Sequence, residues 1–161
     1  MVTGDKMENI IKIHLNERNN YKNIYNESIL SYELSNYILE ELKGIDTKQS
    51  VKFIVSSNFD MSEHEKEDLV YMIRKFFGAD ISEIMNLRIK QRIANYFIFL
   101  IGFVLVLIYS LWKIIFVSEF ILIFGWVFIG EAICNLLYKG VENRYQIMRR
   151  KQIVDAKIVF E

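Results

Sequence analysis

The side chains that most often do chemistry, histidines, cysteines and grouped acids, are sparse in this sequence. His64-Glu65 opens like the zinc-protease helix His-Glu-x-x-His, but position 68 is Asp, so the second metal-binding histidine is missing. No Cys/His cluster has zinc spacing, and Cys134 is the only cysteine. The seven glycines are scattered, so no loop is arranged to cradle a phosphate. Glu63, Glu65, Glu67 and Asp68 could together hold a cation. The simpler reading is a helix start, whose dipole favours carboxylates in the first turn. His14 and His64 are far apart and read as surface residues. The inventory therefore argues against an enzyme and requires no metal or cofactor.

Two other groups carry chemistry of a different kind. Glu131 lies inside an apolar run, and Asn135 follows one helical turn later on the same face. A charged carboxylate facing lipid costs about 2.5 kcal/mol or more. A lone pair of spans would leave Glu131 uncharged or displaced toward the inner interface. The alternative is self-association around a wet axis, with Glu131 and Asn135 as pore-lining residues. The triplet Arg149-Arg150-Lys151 could contact anionic lipid or a nucleotide phosphate, or serve only as a topology-setting basic cluster.

The elements that must position these residues emerge when the charge is divided along the chain. The 161 residues are 52% apolar and carry 20 basic and 20 acidic side chains. Residues 1–92 hold 13 basic and 15 acidic residues, whereas 93–138 hold only Lys113, Glu119 and Glu131. The tail from 139 to 161 has six basic residues and three acidic ones. Such a chain is too apolar for disorder, has no paired cysteines for a disulfide scaffold, and lacks the basic excess of a nucleic-acid binder. The uncharged run 93–112 is long enough to cross a bilayer, and 119–138 forms a second span broken only by Glu131 and Asn135. Arg88, Lys90 and Arg92 precede the first span, and Lys139, Arg144 and the triplet follow the second. Both termini are therefore expected in the cytoplasm, with an external turn at 113–119. Tyr96 and Tyr138 would lie at the inner interface, and Tyr109 and Trp112 at the outer one. The absence of proline predicts spans without a sharp kink.

The soluble part reads as a small α/β domain over 1–92. Ile11, Ile13 and Leu15 alternate as in a strand, as do Val51, Phe53 and Val55. Between them Leu34, Tyr37, Ile38 and Leu42 follow helical spacing, with Gly44 as a stop. Residues 16–29 read as a loop. Ser62 and Glu65 form a capping box ahead of a helix whose apolar face is Leu69, Met72, Ile73, Phe76 and Phe77. Gly78 is expected to end that helix, and Asp80 with Glu83 to cap a new one running into the first span. Val154, Ala156, Ile158 and Phe160 alternate as a terminal strand. It is expected to join the first two in one sheet, with a right-handed strand–helix–strand crossover. The expected fold class is thus an α+β membrane protein, a two-helix transmembrane hairpin with a small cytosolic α/β domain completed by the C-terminal strand.

The string Gly125-Trp126-Val127-Phe128-Ile129-Gly130-Glu131-Ala132, then Leu137-Tyr138 and the ending Ala156-Lys157-Ile158-Val159-Phe160, resembles a family of small uncharacterised bacterial membrane proteins. It departs from that pattern at Gly130, where a tryptophan often stands. The resemblance covers most of the chain and implies the order strand, helix, strand, helix, two spans, basic stretch and closing strand. It implies the bacterial inner membrane as location and brings no established activity. The layout is similar to that of effectors in bacterial antiphage systems. Two functions are carried forward as expectations. One is a homo-oligomeric pore or ion-channel-like effector, gated by its cytosolic domain in response to a small-molecule or nucleotide signal. The other is a non-conducting anchor that scaffolds a cytosolic protein partner. Membrane lipid is a partner in both.

Overall fold

A computed structural model describes residues 9–111 and 117–161. Its elements are β1 (Asn9–Leu15), α1 (Tyr32–Glu41), β2 (Val51–Ser57), α2 (Glu63–Leu111), α3 (Val117–Val154) and β3 (Lys157–Phe160). The chain is a mixture of helix and strand with two long apolar helices. It divides into two compact units, Met1–Ser82 with Tyr145–Glu161, and Glu83–Arg144.

The first unit is built on a parallel sheet in the order β1-β2-β3. Asn9 through Leu15 pair in register with Val51 through Ser57, and Lys52 through Val55 pair with Lys157 through Phe160. The alternation that marked the strands sends Ile11, Ile13, Leu15, Val51, Phe53 and Val55 to one face, where all are buried. That face packs against Leu34, Ile38 and Leu42 from α1 and its C-cap, Leu69, Ile73 and Phe77 from α2, and Ile153 from α3. Each such side chain gives roughly 1.5–3 kcal/mol on burial, so this cluster is the main source of stability in the unit.

Two helix starts are capped by side chains, that of α2 by the capping box expected from the sequence. Ser31 Oγ accepts from the Leu34 N–H at 3.1 Å and caps α1. Ser62 N–H donates to Glu65 Oε2 at 2.8 Å while Glu65 N–H donates to Ser62 Oγ at 3.3 Å, a complete capping box for α2. The segment 16–29 is a loop made of Asx turns: Asn23 Oδ1 accepts from the Tyr25 N–H, and Asn26 Oδ1 from the Ser28 N–H. It also delivers Tyr21 to the core, almost fully buried.

Two expectations about boundaries are corrected. Gly78 does not end a helix, and Asp80 does not cap a new one, because α2 runs unbroken for 49 residues. Among the described residues no glycine has the positive φ that a glycine helix stop uses. Asp80 is drawn instead into an ion pair with Arg150 at 2.9 Å. The terminal alternation also starts later than read. Val154 is the last residue of α3, and Ala156 is still in a turn, its N–H donating to Ile153 O at 3.2 Å. Ile153 and Ala156 are buried at the i,i+3 spacing of a helical turn, whereas Val154 is only half-buried.

In the second unit α2 and α3 meet antiparallel, since Gln91 bonds to Asn143 whereas Gly102 and Val106 approach Gly125. A Cβ added to Gly102 would lie 2.8 Å from the Gly125 carbonyl oxygen and 2.9 Å from Ile129 Cγ1. One added to Gly125 would lie 2.8 Å from Val106 Cγ2. Asn95 and Gly102 on α2, and Gly125 and Ala132 on α3, are buried and stand two turns apart on each helix. This seam of small residues lets the backbones close in. By contrast Gly130 has nothing within 4 Å of its Cβ position, so it takes no part in the approach. In the apolar windows of α2 and α3 only 11% of each is buried, and Phe97, Leu100, Phe124, Trp126 and Leu137 are all exposed. Trp112 and most of the expected turn at 113–119 lie outside the described residues.

Candidate functional site

Glu131 and Asn135 stand on one stripe of α3, and the Asn135 Nδ2 donates to Glu131 Oε1 at 3.0 Å. Glu131 is exposed on the outer surface of the helix pair, next to buried Ala132, and exposed Cys134 lies beside it. Asn135 is half-buried and has a second environment. With Arg88, Arg92 and Asn95 of α2 and Lys139 of α3 it lines a small cavity of about 20 Å³. That is room for roughly one water-sized group. At the edge of this cavity Asn143 Nδ2 donates to Gln91 Oε1 at 3.1 Å. Arg88 Nε is the one buried side-chain polar atom among the described residues with no hydrogen-bond partner. Sequence reasoning singled out Asn135 but missed Asn95, which is 7% exposed. The available signal was its spacing of one heptad before Gly102.

The basic triplet is divided among three different environments. Arg149 is only 5% exposed. Its guanidinium donates to the Leu42 and Ile45 carbonyls, which close the C-terminal end of α1, and to the Tyr145 hydroxyl. It also lies over the Tyr145 ring at 5.0 Å. A cation there neutralises the negative end of the helix dipole and satisfies carbonyls that the helix cannot. Gln152 extends the clamp, donating to Asp46 O at 3.1 Å and Gln49 O at 2.7 Å. Arg150 is held by Asp80 and by Gln146 Oε1 at 2.7 Å. Lys151 alone stays exposed. The charges of Arg149 and Arg150 are thus engaged inside the α/β unit, and of the three residues expected to contact lipid or phosphate Lys151 is the exposed one.

The acidic run is equally occupied. Glu65 caps α2 and pairs with Arg18 at 2.9 Å, and Glu63 pairs with Lys66 at 2.7 Å. The hydrogen bond from the Ser62 backbone, then those from the Ser62 hydroxyl and Arg18, hold the Glu65 carboxyl below its ordinary value of 4.5. Burial, reinforced by nearby Glu65 and Asp68, raises the Tyr21 phenol above its usual range.

A second surface was not anticipated. Strand register places Ile10, Lys12 and His14, Lys52, Ile54 and Ser56, and Lys157 and Val159 together on the face of the sheet opposite the core. All are exposed or half-exposed. Parallel sheets are normally covered on both faces, so an open one is unusual. His14 Nδ1 lies 2.9 Å from Ser56 Oγ across this face.

No family model, curated protein or solved structure matches this chain. Its class therefore rests on the features above: a small parallel α/β unit joined to two apolar helices long enough to cross a membrane.

Proposed function

We propose that this chain is a two-span protein of the bacterial inner membrane, with both termini cytoplasmic, that self-associates into a pore-forming or ion-channel-like effector. Glu131 carries this reading. It is exposed on an otherwise apolar surface and bonded only to Asn135 among the described residues. Facing hydrocarbon, that carboxylate would be costly, and a second copy of the same surface is a partner that could enclose it. The membrane assignment is supported by long apolar stretches that are mostly unburied, unlike the core helix of a globular protein.

Gating by the α/β unit is supported by how that unit is built. The start of α2 and the end of α3 share one core, through Leu69, Ile73 and Phe77 on one side and Ile153 on the other. A small-molecule or nucleotide signal that bound one arrangement of this core better than another would shift both helices. An antiphage role fits the same architecture. The test begins with Cys134, the lone cysteine, which lies beside Glu131. Oxidation in native membranes should trap a disulfide-linked dimer that Cys134→Ser abolishes. In liposomes, the full chain should leak ions and Glu131→Gln should change the leak. Absence of both the dimer and the leak would refute the proposal.

A second reading, a non-conducting anchor for a cytosolic partner, is favoured by the open sheet face. Lys12, Lys52 and Lys157 on that face would suit an acidic protein. Under this reading the full chain leaks no ions in liposomes, and charge reversal at these lysines abolishes capture of the cytosolic partner.

A further inference from the structure

The water-sized cavity between α2 and α3 holds an electrostatic arrangement that the proposed pore does not use. Three cations line it, Arg88, Arg92 and Lys139, and no carboxylate does. Asn95 and Asn135 supply amides. Arg88 Nε is buried and has no hydrogen-bond partner among the described residues. A buried charged donor left unpaired costs at least about 1–3 kcal/mol, so such a group usually meets a partner that completes it. The missing partner must be an acceptor and must be small.

We infer that this cavity receives one anionic oxygen of a phosphodiester, supplied by the headgroup of an acidic membrane lipid. Neutral water would leave a cavity lined by three cations and no carboxylate without an anion. A space of about 20 Å³ admits about one water-sized group. One oxygen fits, with the rest of the headgroup outside beside Arg92 and Lys139, which are exposed. The position along the helices suits this source. Arg92 immediately precedes the first apolar run and Lys139 immediately follows the second. In the membrane reading, on which this inference rests, both lie at headgroup level, where basic pockets between spans bind acidic lipids. Asn135 lines the cavity and also donates to Glu131, so an anion seated there would compete for the amide that Glu131 uses. The lipid would then act on the proposed pore-lining carboxylate from behind.

The experiment uses the full chain in neutral detergent, with thermal unfolding followed as phosphatidylglycerol, phosphatidylcholine, inorganic phosphate or chloride is added. Phosphatidylglycerol should raise the midpoint by several degrees and phosphatidylcholine should not. More than half of that shift should vanish in Arg88→Gln and persist in Arg144→Gln, a nearby exposed control. If Arg88→Gln does not fold, the rim variant Arg92→Gln/Lys139→Gln carries the same expectation. Equal shifts with both lipids, or a full shift in the Arg88 and rim variants, would overturn the site. An equal, Arg88-dependent shift with phosphate or chloride alone would overturn the lipid source and retain the anion seat. Recovery of the chain in the aqueous phase without detergent would instead refute the membrane reading itself.

Discussion

Arg149 holds a full charge almost out of reach of water, yet faces no carboxylate among its hydrogen-bond partners. Its compensation is the set of carbonyls at the end of α1, so removing the guanidinium leaves those carbonyls buried and unpaired. Arg149→Met should cost about 2–4 kcal/mol, from two charged hydrogen bonds and the stranded acceptors. Lys151→Met, two residues further on and exposed, should cost less than about 0.5 kcal/mol. Denaturant midpoints of the two variants would separate the roles. The basic triplet was legible in the sequence as three adjacent charges, but its division was not. Which of three neighbouring helical residues turns inward depends on α1 and its following loop, more than a hundred positions away. Glu65 gives a pH test at the same scale. Its folded-state pKa is depressed, so its stabilising contribution is present above its ordinary value of 4.5 and is lost as the pH falls through the lower folded value. Glu65→Gln should therefore flatten the acid limb of the stability curve below about 4.5 and leave neutral-pH behaviour governed by other groups.

Helix α2 and its crossing with α3 are decided at the level of elements. A glycine followed by an Asp-x-x-Glu pattern reads as a stop and a restart, yet Gly78 sits inside an unbroken helix with open space around its Cβ position. The pattern misleads because it is local, while Asp80 answers to Arg150 on another helix. Gly78→Ala should therefore stabilise the chain by roughly 0.5–1 kcal/mol, the ordinary gain in a helix interior. A true glycine stop would instead be destabilised by the same change. Gly102→Ala carries the opposite sign, since its Cβ would press on a backbone carbonyl oxygen at 2.8 Å. A backbone atom cannot rotate away, so the helices must separate locally and the melting midpoint should fall by several degrees. Gly130→Ala should leave it unchanged or slightly raised. No pattern in the sequence pairs Gly125 with Gly102. Pairing across the helices depends on the register of the hairpin, which no local pattern encodes.

The whole molecule is organised by a strand that arrives late. β1, α1 and β2 form one parallel unit from the first part of the chain, but the third strand comes after both long helices. The strand alternation, with both termini expected on one side of a membrane, made a common sheet foreseeable. The extent of the C-terminal contribution was not, because Arg149, Gln152 and Ile153 belong to a helix whose inward face is defined only by what it covers. Their removal would uncover Phe53 and Val55 on the β2 edge, the Leu42 end of α1 and the loop at 45–49. Residues 1–92 alone should therefore fail to fold, giving an exposed core and aggregation rather than a stable domain. Joining Ser82 to Tyr145 through a flexible glycine-serine linker, which omits 83–144, restores every segment of the first unit. That protein should be soluble and monomeric without detergent and unfold cooperatively, and its amide spectrum should be well dispersed. Arg149→Met should lower its midpoint as it does in the full chain. If 1–92 folded as stably as the linked form, the late strand and its clamp would be accessories, and gating through the end of α3 would lose its physical basis.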